Sequence, residues 1–132
     1  MISKAAWGVL KAWERNSLVS SRVFGVKVGC LEEAGTPVLY WFNEDGHQEV
    51  LPRFTTDRNA CALVLDAITN RSDLTPARFV HELGDALCSP GTAHHQSDDG
   101  VSMIMHYSIL DVLRADPDTI CYCAVKAVED GG

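Results

Sequence analysis

Twice in this chain a capping side chain stands directly before a proline and an apolar stripe follows: "LTPARFVHELGDAL", residues 74–87, and "ADPDTICYCAVKAV", residues 115–128. Proline lacks a backbone donor and its ring fixes φ near the helical value, so it suits the first position of a helix and not the interior. Thr75 and Asp116 each offer a side-chain oxygen to the free amides of the first turn. Two helix starts are thereby placed. Behind the first, Phe79, Val80, Leu83, Ala86 and Leu87 fall on one face, and Arg78, His81, Glu82 and Asp85 fall opposite, toward water. Behind the second, Ile120, Cys121, Ala124, Val125 and Val128 point inward, and Cys123 lies off that stripe.

Two more helices follow from periodicity. Residues 2–15 put Ile2, Ala6, Val9, Leu10 and Trp13 on one stripe, and "NSLVSS" is expected to end that helix. Thr56 or Asp57 caps another, with Ala60, Cys61, Val64, Ala67 and Ile68 inward. Between them, "RVFGVKVGC", "TPVLYWF" and "HQEVL" alternate or are rich in branched and aromatic residues, and "EEAG" and "NEDG" are turns. This predicts an antiparallel meander. Residues 101–114 stay open between a strand ("VSMIMHY") and a short helix. The fold class is α+β: one domain over 1–132, a small mainly antiparallel sheet of three to four strands, and four to five helices packed on it in layers. Trp7, Trp13 and Trp41 each lie in an apolar segment and are expected in the core.

A chain of 132 residues, 46% hydrophobic, can fill such a core. Its early apolar run, "AAWGVL", is too short to cross a membrane or serve as a signal core, which places the protein in the cytoplasm. Five cysteines, an odd number, then read as reduced thiols.

The stretch "CSPGTAHHQSDDG", residues 88–100, holds a thiol, two histidines and two aspartates. Adjacent His94 and His95 diverge on an ordinary backbone, and no second pair has zinc-ligand spacing. Cys121 and Cys123, if helical, are about 200° apart around the axis. Cys88 ends a helix, where the negative end of the dipole opposes a thiolate. No phosphate-binding, nucleophile-elbow or zinc-protease motif occurs. The stretch reads as a loop, with no catalytic residue, no metal and no cofactor. The competing reading is a small metal- or cysteine-dependent hydrolase built on Cys88, His94, His95 and Asp98.

Three segments carry a resemblance. Val23-Phe24-Gly25-Val26-Lys27-Val28 after an N-terminal helix, Pro52-Arg53-Phe54-Thr55-Thr56-Asp57 before the next, and the ending "RADPDTICYCAVKAV" are similar to the phage ABA sandwich domain family of small tailed-phage and prophage proteins. Val26 departs from that pattern, standing where an aromatic residue is common. The resemblance implies an α/β/α layering and a phage or prophage source, hence the host cytoplasm. It implies no catalytic residues.

The net charge of −7 is uneven: residues 67–132 hold 4 Lys+Arg against 10 Asp+Glu, and residues 1–66 hold 7 against 8. The functional expectation is a non-enzymatic phage accessory protein that binds a host protein with a basic surface, an acidic inhibitor of a defence or regulatory system. The carboxylates expected to carry it are Glu82, Asp85, Asp98, Asp99, Asp111 and Asp118, with Tyr40 and Phe42 of the sheet next in line. A second copy of the chain is a further partner to consider. Direct nucleic-acid binding is disfavoured by the acidity, and would have to use Arg22, Lys27, Arg53 and Arg58.

Overall fold

The computed structural model describes residues 2–87, 94–96, 103–105 and 115–130. In chain order these form α1 (Lys4–Val9), α2 (Ala12–Val23), β1 (Gly29–Glu33), β2 (Thr36–Phe42), β3 (Gln48–Val50), α3 (Arg58–Thr69), α4 (Thr75–Leu87), β4 (His94–Gln96), β5 (Met103–Met105) and α5 (Pro117–Asp130). The α+β class is as expected, with β1-β2-β3 an antiparallel meander and β4-β5 a separate antiparallel pair.

Helix α5 sits at the centre, packed against α2, α3 and α4. Asp116 caps it as expected, its carboxylate accepting from the Thr119 amide at 2.7 Å. Ile120, Cys121, Ala124 and Val125 are buried, but so are Cys123 and Ala127. The expected difference between Cys121 and Cys123 is therefore absent: helices on several sides of α5 bury both thiols. Burial, with the charge of Glu82 nearby, pushes the Cys123 thiol up to about 12. Cys30, on β1, is exposed. We expect Cys30→Ser to remove a fast-reacting thiol from the native protein, and Cys123→Ser to remove none. Equal loss in an Ellman's assay would contradict the central position of α5.

The predicted helix over 2–15 is two helices. Lys11 starts a new one, its amide donating to Glu14 Oε1 at 2.9 Å. Arg15 reaches back to the end of α1, donating to the carbonyls of Trp7 at 3.0 Å and Gly8 at 3.1 Å. "NSLVSS" does not end α2, because its polar groups are satisfied within the helix or the core. Ser17 Oγ donates to the Trp13 carbonyl at 2.8 Å, and buried Asn16 accepts from both the amide and the hydroxyl of Thr55, at 3.1 and 2.9 Å. The inward face of α2 is Asn16, Val19, Ser20 and Val23, which leaves Trp13 54% exposed and outside the core, contrary to expectation.

Nor is "RVFGVKVGC" a single strand. Val23 ends α2, and Gly25 at φ +69° turns the chain back. The Val26 amide then donates to the Ser20 carbonyl at 3.1 Å, while Ser20 Oγ donates to the Val26 carbonyl at 2.9 Å. Pairing begins only at Gly29. The next turn is as expected in place: Ala34 and Gly35, at φ +53° and +79°, make the two-residue link whose twist suits a tight hairpin. At the second turn, Asn43 Oδ1 accepts from the amides of Asp45 and His47, each at 3.0 Å.

Asp57 caps α3, accepting from the Asn59 amide at 2.9 Å, and the expected stripe of Ala60, Cys61, Val64 and Ile68 is buried. Helix α4 also forms where expected, yet its buried face is rotated to Thr75, Phe79, Leu83 and Gly84. Val80 is 53% exposed. Arg78 turns toward α5 instead of water, its Nε donating to the Ala127 carbonyl at 3.1 Å. Thr75 is not the cap. Asp73 accepts from the Thr75 amide at 2.9 Å, while the buried Thr75 hydroxyl accepts from Arg78 Nη2 at 3.1 Å.

The meander joins this helical core at one end. Trp41 meets Phe24 and Phe54 edge-on at 5.1 and 5.3 Å between centroids, and Phe24 stacks on Phe54 at 5.3 Å. Leu51, buried beside them, donates its amide to the Leu39 carbonyl at 2.9 Å. Much of β1 and β3 is exposed to solvent.

Candidate functional site

Of the six expected carboxylates, Asp98, Asp99 and Asp111 lie outside the described residues, as does Cys88. The other three, Glu82, Asp85 and Asp118, do come together. They line a shallow cavity of about 310 Å³ between α1, α4 and α5, with Trp7, Tyr122 and Lys126. They were expected to face water and remain available to a partner. Each has a partner within the chain, and Asp85 still keeps its side chain 48% exposed. Glu82 pairs with Lys126 Nζ at 3.1 Å and Asp85 meets His81 Nε2 at 3.4 Å. Asp118 accepts from Arg15 Nη1 at 3.0 Å and from the Trp7 indole at 3.2 Å. Since Arg15 also closes α1, Asp118 is a tie between the first helix and the last. Lys4 and Lys126 on the same walls offset the acidity further.

His94 and His95 belong to β4, opposite Met105 and Ile104, which corrects the reading of residues 88–100 as wholly a loop. The reason is antiparallel pairing to a segment whose own alternation is too short to read alone. Among the described residues no group of three His, Cys, Asp or Glu could hold a metal ion. The basic set does not converge either. Arg22 pairs with Glu129 at 3.2 Å, Lys27 lines a groove beside Trp13 and Val28, and Arg53 and Arg58 flank the start of α3.

A site that sequence reasoning missed is formed by different elements. Between the β2–β3 turn and α3 there is a cavity of about 410 Å³. Phe24, Val26, Trp41, Phe42 and Leu63 supply its apolar walls, and Glu44, Asp45, Glu49 and Asp66 its rim. Among the described residues no Lys or Arg lines it. The Trp41 indole donates to Glu49 Oε1 at 2.9 Å and fixes that carboxylate. Phe42, 54% exposed, forms one lip.

The surrounding sheet has the same character. From Gly29 to Val50 the chain carries Glu32, Glu33, Glu44, Asp45 and Glu49 and not one Lys or Arg. Counting charge by halves concealed this, since the bases of residues 1–66 all lie outside the sheet. Of the apolar positions expected as second choice, Phe42 is exposed and Tyr40 half-buried. Tyr40 and Phe42 are two apart on β2, Tyr40 faces Val50 across the ladder, and Leu31 faces Val38. Such an arrangement can attract and desolvate a cationic surface; among the described residues it assembles no nucleophile with a base. No helix among the described residues is long and apolar enough to cross a membrane. Among known proteins, no family model, no curated protein and no solved structure matches the chain.

Proposed function

We propose that this chain is a non-enzymatic binding domain for a protein with a basic surface, and that its contact face is the β1–β2–β3 meander and not the α4–α5 cavity. The observation that carries this is the charge of the sheet segment, five carboxylates and no Lys or Arg from Gly29 to Val50, together with the exposed apolar residues Leu31, Phe42 and Val50 on one face of the sheet. An apolar centre with a charged rim is the common anatomy of a protein-binding patch. The like charges of this sheet oppose pairing with a second copy of it. That the domain serves a phage, as an inhibitor of a host defence or regulatory system, rests on the resemblance of residues 23–28 and 52–57.

The test is capture from host lysate at several salt concentrations, with wild type beside Glu32→Lys plus Glu44→Lys. Exposed charges are screened over about 8–10 Å at physiological ionic strength, so a captured basic protein should be lost as salt rises. It should also be lost with the double reversal, while Glu82→Gln retains it. The same partner held by the double reversal and in high salt would remove the sheet from the mechanism.

A further inference from the structure

We infer that the aromatic cavity between the β2–β3 turn and α3 receives an arginine side chain presented by the basic partner; this rests on the acidic-binding reading above and gives it a specific recognition point. The cavity, about 410 Å³, is within the range of small-ligand pockets and holds a guanidinium with its stem and part of a neighbouring residue. Its wall is aromatic: Trp41, only 4% exposed, is held edge-on to Phe24 at 5.1 Å and backs the cavity, and the ring surface open to a cation is that of Phe42, 54% exposed, and half-buried Phe24. A planar, weakly hydrated guanidinium is attracted to aromatic faces more readily than a compact ammonium.

The charges complete the match. Among the described residues, Glu44, Asp45 and Asp66 have no Lys, Arg or His as an ion-pair partner. Glu49 is already oriented by the Trp41 indole, leaving its second oxygen to accept from a ligand. Carboxylates on both sides of the opening, from the β2–β3 turn and from α3, suit the forked donors of arginine. The aliphatic stem would lie along Val26 and Leu63, the latter 41% exposed with no ligand in place.

The experiment titrates the protein with the acetylated, amidated hexapeptide (Gly-Arg)3 and follows the Trp41 indole N–H by NMR. Matched peptides carry lysine or the uncharged isostere citrulline. The arginine peptide should saturate the Trp41 shift, with the citrulline peptide at least about tenfold weaker and the lysine peptide between them. Asp66→Lys, at an exposed α3 position, should abolish the shift, while Glu32→Lys, outside the cavity, should change affinity by less than about threefold. No saturable shift, equal binding of arginine and citrulline peptides, or a concentration-dependent dimer that covers Trp41 would each overturn the inference. Partner capture that survives Asp66→Lys but is lost with Glu32→Lys plus Glu44→Lys would sink the arginine pocket alone. Capture indifferent to salt and to both reversals would sink the acidic-binding reading with it.

Discussion

Val125→Asp is expected to unfold the protein at room temperature, or to leave it so weakened that helical circular dichroism is lost in low urea. Val125 is fully buried on α5, the helix that α2, α3 and α4 all pack against. A carboxylate there would lose its hydration inside the apolar core to which Val125 belongs. Burying such a group without a partner costs about 4 kcal/mol or more, against a total stability of about 5–15 kcal/mol for an ordinary domain. The sign with pH follows. Burial raises the folded-state pKa of the new carboxyl above its unfolded value, so the unfolded state releases the proton first, and the penalty grows as pH rises from about 4 toward 7. The variant should be least damaged in acid. A wild-type urea midpoint at pH 7 would mean that the register of α5 is wrong.

Phe54→Ala is the second large effect, expected to cost about 3–5 kcal/mol. The ring is fully buried between Phe24 and Trp41, and it is the point at which the meander is joined to the helices. Removing it opens a cavity under both aromatic neighbours. The Phe54 carbonyl, which accepts from Cys121 Sγ at 3.3 Å, stays in place, so the loss is one of packing and not of that contact. Urea unfolding followed by tryptophan fluorescence and by far-ultraviolet dichroism measures it. A loss under about 1 kcal/mol would show that the sheet holds to the core by other means. The Trp41 environment should change in this variant even where the helices persist, which separates it from Val125→Asp.

Helix existence was legible in the sequence because its signals are local. The Asp116-Pro117 and Asp57 starts needed only a side-chain oxygen and the amides two or three residues on. What escaped was set by distant groups. Periodicity on α4 put Val80 inward and Arg78 outward, but Arg78 donates to the Ala127 carbonyl on α5 and Val80 is 53% exposed. Periodicity puts Trp13 in the core, as part of an apolar segment, and makes Asn16 part of a helix end. Thr55, thirty-nine residues away, satisfies Asn16 and reverses both. The strand expected at Val23–Cys30 failed for a local reason that alternation hides: a positive φ at Gly25. The sites divide in the same way. Glu82, Asp85 and Asp118 line one cavity, but their partners Lys126, His81 and Arg15 were invisible as partners until the helices were placed. Asp66 and Glu44 lie on separate elements, and only the cavity brings them together. The charge of the sheet alone could have been found earlier, by counting over each element.

The central position of α5 also governs how the protein is made. A ribosome delivers α2, α3 and α4 before the helix that all three pack against. Until residues 117–130 emerge, Val19, Val64, Ile68, Phe79 and Leu83 lack their main common neighbour, and the nascent chain presents these apolar faces to the cell. The same order applies to the tie between Ile2 and Glu129, a 2.7 Å hydrogen bond joining the first helix region to the last. Synthesis that stalls before Pro117 would therefore release a sticky, protease-sensitive fragment and not a smaller stable domain.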